Sequence, residues 1–258
     1  MAGTRKEGNE DKRDVTGEIP LFEISPGIDR RAHAQTFAST RRVQVRDFLT
    51  EPAARTIHRV LSRETPWGLA WRAGSDGPHA LRRHEIAARQ AELGAITGKI
   101  AAAMRGGDYA FAYAQYPMLA AYKENWGEHD ALHLLMEHIN DEPLLDLVRD
   151  VTGMPQLIKA DAQATLYAPN HFLAVHDDSH VEDGWQVAYV MNFCAEDWRP
   201  DWGGYLLFYD EDGDVVAGFK PRFNALNLFR VPQRHSVTYV PSFAPVARFA
   251  ITGWFRDR

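Results

Sequence analysis

From about residue 155 onward, apolar and β-branched residues recur in short runs broken by glycine, proline, aspartate and asparagine. The pattern predicts strands over 157–168, 171–176, 185–194, 204–210, 214–219, 224–230, 235–240 and 246–256. Eight such strands imply a double-stranded β-helix, or jelly roll. Upstream, residues 42–154 read as largely helical. Residues 43–49 alternate as a strand and 67–71 form another. Thr50 is placed to cap a helix running to about Leu61, with Glu51 favourable in its first turn. A long helix is expected over 84–104, ending at Gly106-Gly107, and shorter ones over 127–139 and 142–152. Helices packed outside a sheet give an α+β layer architecture in which they buttress the jelly roll. Residues 21–41 show little periodicity and read as a surface arm. Residues 1–20 hold nine charged residues and almost no large apolar ones, the composition of a disordered tail.

Composition changes this picture little. With 258 residues, 45% hydrophobic and 25% charged, the chain can bury one sizeable core, so residues 21–258 are expected to form a single domain. A formal net charge of −6 argues against nucleic-acid or anionic-membrane partners, which select for basic patches. The pairs Arg30-Arg31 and Arg82-Arg83 read as solvated surface. The single cysteine, Cys194, falls in an apolar strand and reads as a buried structural thiol; with no disulfide framework, the expected compartment is the cytoplasm. No apolar stretch reaches the ~18–20 residues that span a bilayer, and the N-terminus lacks the apolar core of a signal peptide. Oligomeric state is left open.

The chemistry sits in the strand-rich half. Residues 172–176 are Phe-Leu-Ala-Val-His, an extended run, and in a strand positions i and i+2 share a face. His176 and Asp178 could therefore grip one ion while Asp177 points away. A second imidazole completes the two-His, one-carboxylate set of non-haem Fe(II) sites, which leaves coordination positions open. His235, at the start of another strand-like run, is the preferred donor. His180 would need a sharp reversal, and His171 has the wrong parity. Arg248 lies in the apolar segment 246–255, where a guanidinium rarely enters without an anionic partner. If 235–240 and 246–255 form a hairpin, Arg248 lies roughly 10 Å from His235 at 3.3 Å per residue. A five-carbon diacid fits that span, chelating the metal at one end and pairing with Arg248 at the other.

Taken together, Thr165-Leu-Tyr-Ala, His176-Asp177-Asp178, Asp197-Trp198, Gly203-Gly204, His235-Ser-Val and Arg248-Phe-Ala-Ile-Thr-Gly-Trp254 resemble the 2-oxoglutarate and Fe(II)-dependent dioxygenases, most closely the oxygen-sensing prolyl hydroxylase branch. The resemblance covers roughly residues 155–256. It implies His176, Asp178 and His235 as iron ligands, Arg248 as the 2-oxoglutarate clamp, and Tyr167 as a hydrogen-bonding partner of the cosubstrate. Thr252 and Trp254 match the strand that closes the pocket. Tyr189 and Phe193 stand where that branch carries other polar groups near the cosubstrate. The spacing of thirteen residues from His235 to Arg248 is longer than in that branch. The implied activity is hydroxylation of a prolyl residue in a protein or peptide, with 2-oxoglutarate decarboxylated to succinate and ascorbate as supporting reductant. A hydroxylase of a free amino acid or other small metabolite, and a non-catalytic metal-binding β-barrel module, are the alternatives.

Other motifs carry less. The acidic run 210–214 is read as a β-turn, because Pro221 occupies the loop position where a calcium site needs a bidentate acid. His129 and His133 stand four residues apart, but Asp130 replaces the glutamate of a zincin, so they are surface or packing histidines. Gly203-Gly204 reads as a bend between strands.

Overall fold

The computed structural model describes residues 20–127, 130–179, 183–194 and 197–258. The expected tail falls almost wholly outside the described residues, as do His129 and His180. The elements run α1 (Arg30–Thr40), β1 (Arg42–Arg46), α2 (Glu51–Arg59), β2 (Gly68–Ala73), β3 (Asp76–Leu81), α3 (Arg83–Ala88), α4 (Leu93–Gly106), β4 (Ala110–Tyr116), α5 (Met118–Lys123), α6 (Ala131–Ile139) and α7 (Glu142–Thr152). The strand-rich half follows: β5 (Lys159–Ala160), β6 (Gln163–Tyr167), β7 (Phe172–His176), β8 (Trp185–Phe193), β9 (Leu206–Tyr209), β10 (Val215–Phe219), β11 (Phe223–Arg230), β12 (His235–Val237) and β13 (Arg248–Arg256).

The strands join in the order β1-β11-β8-β13-β6-β4-β7-β12-β9-β10, with β2 and β3 added beside β4 and β5 beside β13. All pairings are antiparallel, for example Arg248 opposite Tyr167 and His235 opposite His176. The result is an α+β jelly roll. Alternation along its strands sorts the side chains into two layers. On β8, Val187, Tyr189, Met191 and Phe193 join the large cluster formed with α1, α2, α6 and α7, while Ala188 and Val190 face the barrel interior. On β13, Ile251 and Phe255 pack toward the helices, which leaves Arg248, Ala250, Thr252 and Trp254 on the interior side.

Several expectations change. The surface arm contains α1, capped by the Asp29 side chain accepting from the Ala32 amide at 2.9 Å. It buries only Phe37, so no apolar stripe announces it. The helix expected over 84–104 is two helices joined by a 3-10 turn. α4 buries Ile96, Ile100 and Ala103, whereas α3 buries no residue fully and sets only the half-exposed Ile86 against the same cluster. Thr50 does precede α2, but its hydroxyl donates to the Glu23 carboxylate at 2.8 Å instead of capping the helix. The hairpin of 235–240 with 246–255 is not formed: β12 pairs with β7 and β9, β13 with β5, β6 and β8. The acidic run does turn tightly, with the Asp214 amide donating to Asp210 Oδ1 at 2.8 Å.

Gly203-Gly204 shows why that bend needs glycine. Gly203 has φ +61°, and a Cβ there would lie 2.0 Å from the Tyr239 carbonyl oxygen; Gly204, φ +68°, would bring one to 3.2 Å from the Trp198 ring.

Candidate metal and diacid site

β7 delivers His176 at its last residue, and β12 delivers His235 as its first, directly across the ladder. Their rings lie 4.1 Å apart. The expected alternation stops there. Asp178 sits beyond the strand at φ +58°, a left-handed conformation that aspartate tolerates better than most residues. This turn, and not strand parity, swings its carboxylate back: Oδ1 is 3.3 Å from His176 Nε2 and Oδ2 is 3.5 Å from His235 Nε2. It also leaves Asp177 lining the same cavity instead of pointing away.

The remaining nitrogens fix the tautomers. Nδ1 of His176 is 3.0 Å from the Ala174 carbonyl oxygen, and Nδ1 of His235 is 2.8 Å from that of Gln233. A carbonyl only accepts, so Nδ1 carries a proton in each ring and Nε2 is the atom turned toward Asp178, free to ligate a metal when unprotonated. Trp254 Nε1 donates to Asp178 Oδ2 at 3.0 Å. Burial, then the neighbouring His176, lowers the pKa of His235 to about 4, which keeps it neutral. Burial also disfavours the His176 cation, but Asp178 outweighs it and leaves that pKa raised. The Asp178 carboxyl is opposed by burial too, yet the two histidines and Trp254 hold its pKa below the ordinary value. Three donors, one from each residue, lie within 4.8 Å of one another. Two neutral imidazoles and a carboxylate fit a divalent cation of the Fe(II) type. A closed structural site would need a fourth donor, and the described residues place three in this cluster.

The same cavity, of about 410 Å³, reaches Arg248. Its side chain is 1% exposed, Nε donates to Asn192 Oδ1 at 3.3 Å, and the guanidinium carbon lies 5.1 Å from the Tyr167 ring centre. Nη1 is buried with no acceptor, as is Asn192 Nδ2. Burial lowers the Arg248 pKa. A guanidinium held this way has a binding edge prepared for an anion.

Tyr167, Tyr189, Thr252 and Trp254 all line the cavity. The Tyr189 hydroxyl is already engaged, donating to the Asp161 carbonyl at 2.9 Å. Phe193, expected nearby, packs instead toward the helices, 6.3 Å from the Phe48 ring. His171 turns to the backbone around Leu166 and Ala168, and His133 packs on Tyr122. Cys194 is buried, and burial pushes its pKa up to about 12.

One wall was missed by sequence reasoning. Tyr109, Phe111 and Tyr113 form successive ring contacts along β4, continuing to Tyr167, and Tyr109 lies 5.9 Å from the His176 ring. The signal was present as a strict alternation of aromatics with alanine over 109–114. Trp185, stacked on Trp254 at 3.9 Å and 8°, and Arg72 were missed as well.

Residues 162–256 match the family model for the 2OG-Fe(II) oxygenase superfamily. This stretch is a 2OG-Fe(II) oxygenase domain. The family implies Fe(II) and 2-oxoglutarate as its cofactor and cosubstrate, and an oxidoreductase of the dioxygenase type. No curated protein matches in sequence. Among solved structures, a Pseudomonas putida prolyl-4-hydroxylase is 19% identical with a TM-score of 0.53, the match covering 89% of this chain and 99% of that one. A Burkholderia pseudomallei oxidoreductase of the 2OG-Fe(II) oxygenase family is 12% identical, TM-score 0.55, covering 92% and 95%. A Trichoplax adhaerens prolyl hydroxylase, in complex with a peptide fragment of the hypoxia inducible factor oxygen degradation domain, is 16% identical, TM-score 0.50, covering 88% and 90%. These likenesses establish a shared prolyl hydroxylase-like fold. No helix among the described residues is long and apolar enough to cross a membrane.

Proposed function

We propose that this oxygenase hydroxylates a prolyl residue in a protein or peptide, with His176, Asp178 and His235 holding Fe(II) and Arg248 pairing with the distal carboxylate of 2-oxoglutarate. When bound, iron and cosubstrate supply the chemistry that splits dioxygen, releases succinate and carbon dioxide, and delivers one oxygen atom to a C–H bond. The protein's task is positioning. Carbonyl acceptors at Ala174 and Gln233 keep both imidazoles in the ligating tautomer, and the Trp254 indole holds the carboxylate. Tyr167 and Tyr113, stacked at 5.2 Å, wall the diacid from water; Thr252 adds a hydroxyl to the same cavity. Ascorbate would serve as supporting reductant. Residues 21–258 would act as one domain, since α1, α2, α6 and α7 share a core cluster with β8, β11 and β13.

The observation that carries this reading is the buried, incompletely bonded Arg248 opening into the cavity that holds the His-Asp-His cluster. A prolyl substrate is supported by the fold shared with two prolyl hydroxylases and by the flat Trp185–Trp254 stack on the cavity wall, a surface suited to a saturated ring. The test is mass spectrometry of proline-bearing polypeptides and free amino acids incubated with Fe(II), 2-oxoglutarate and ascorbate. Gain of one oxygen on a prolyl residue is expected. Gain only on a free amino acid or other small metabolite would replace the substrate and keep the site.

A further inference from the structure

Arg72 has no role in the chemistry above, yet it lines the same cavity. Alternation on β2 explains its direction. Trp71 packs toward α4 together with Ile96 and Ile100, whereas Ala70 belongs to the interior cluster with Phe111, Tyr113 and Tyr167; Arg72 shares the face of Ala70. Its guanidinium is pinned from two sides. Nε donates to the Gly74 carbonyl at 2.8 Å, and the guanidinium carbon lies 5.5 Å from the Tyr109 ring centre. Tyr109 is in turn 5.9 Å from the His176 ring. With Nε occupied, the two terminal nitrogens form the free end of the fork, and among the described residues no carboxylate pairs with it. An arginine whose stem and Nε are already fixed loses little freedom on capturing an anion.

Resting on the hydroxylase reading, we propose that Arg72 recognises a carboxylate on the substrate, placed beside the reacting carbon. In an extended peptide that carboxylate is an aspartate or glutamate side chain within about two residues of the hydroxylated position, given ~3.3 Å per residue. In a free amino acid it is the α-carboxylate. Arg72 and the exposed Asp177 both line this cavity. An acidic group therefore gains beside Arg72 and is repelled beside Asp177, which orients the chain.

The test pairs two arms, each read by oxygen gain and by direct binding to the 2-oxoglutarate-loaded enzyme with Mn(II) replacing iron. One arm compares proline peptides carrying Asp or Asn at positions flanking the proline; the other compares L-proline with L-prolinamide. The wild type is expected to bind the acidic member of the successful arm about tenfold more tightly or better, as a charge-assisted bidentate pair should give. R72Q should abolish that preference, and R72E should shift it to a peptide with Lys in place of Asp. Retention of the 2-oxoglutarate-induced thermal shift in both variants shows that the fold survives. Equal binding of acidic and neutral members by the wild type, or an acid preference unchanged in R72Q, overturns the role of Arg72. Acid-selective binding that depends on Arg72 but yields no hydroxylated proline upholds it and overturns only the prolyl reading.

Discussion

Trp254 Nε1 lies 3.0 Å from Asp178 Oδ2, joining residues 76 positions apart. The indole stacks on Trp185, so the donor is fixed by packing before any ion arrives. Outer partners of this kind usually contribute 10–100-fold to metal affinity. Trp254→Phe keeps the ring stack and deletes the donor. Its affinity for Fe(II) or Mn(II) should fall about tenfold, measured by titration calorimetry, while the melting temperature of the metal-free protein changes little. Unchanged affinity would mean that Asp178 is held by its backbone turn alone.

Arg248 is a buried cation with an unsatisfied Nη1, a cost that the free protein bears. Replacing a buried ion pair with apolar residues of similar volume is often neutral or stabilising by roughly 1–4 kcal/mol, and Arg248 has no anionic partner among the described residues whose charge its removal would strand. Arg248→Met should accordingly melt at or above the wild-type temperature without cosubstrate, and should lose the stabilisation that 2-oxoglutarate gives the wild type. A variant still stabilised by 2-oxoglutarate to the wild-type extent would show that the diacid binds elsewhere.

The legible and illegible parts of the site divide along physical lines. Arg248 stood out because a charge in an apolar strand violates burial rules locally, and His176, Asp178 and His235 because few residue types ligate iron. The strand-rich half was readable from turn residues between apolar runs. The partner of each strand was not: β12 and β13 are neighbours in sequence but are separated in the sheet by β6, β4 and β7, a crossover no local pattern records. The left-handed turn at Asp178 was hidden for the same reason, since aspartate is common in ordinary loops. Helix α1 escaped because a helix that buries one residue carries no stripe. The β4 aromatics were visible and passed over.

His235 gives the metal-free protein a particular pH response. Its pKa is lowered by burial to about 4, against 6.5 for an unfolded imidazole. Between those values the unfolded chain binds more protons, so stability is complete above about pH 6.5 and declines as pH falls toward 4, by roughly 3 kcal/mol for this group. His176, with a raised pKa, contributes in the opposite sense: its stabilisation is already complete below about 6.5. Urea unfolding of chelator-treated protein should therefore show the decline in this window, and His235→Gln should flatten it. Equal slopes in both proteins would contradict the burial of a neutral imidazole.

Cys194 should be inert. Burial raises its pKa to about 12, so at pH 8 almost no thiolate exists, and the sulfur packs 3.6 Å from the Phe249 carbonyl oxygen. Iodoacetamide at pH 8 should leave the native protein unlabelled and modify it fully in urea. Rapid labelling of the native protein would place the thiol at the surface.

The convergence of His176, Asp178 and His235 with Arg248 on one cavity is tested most directly by anaerobic calorimetric titration of 2-oxoglutarate into Fe(II)-loaded protein. Wild type should bind one equivalent, Arg248→Met should retain iron but bind the diacid at least tenfold more weakly, and Asp178→Ala should fail to retain iron. Wild-type diacid affinity in Arg248→Met, or full iron retention in Asp178→Ala, would contradict the site.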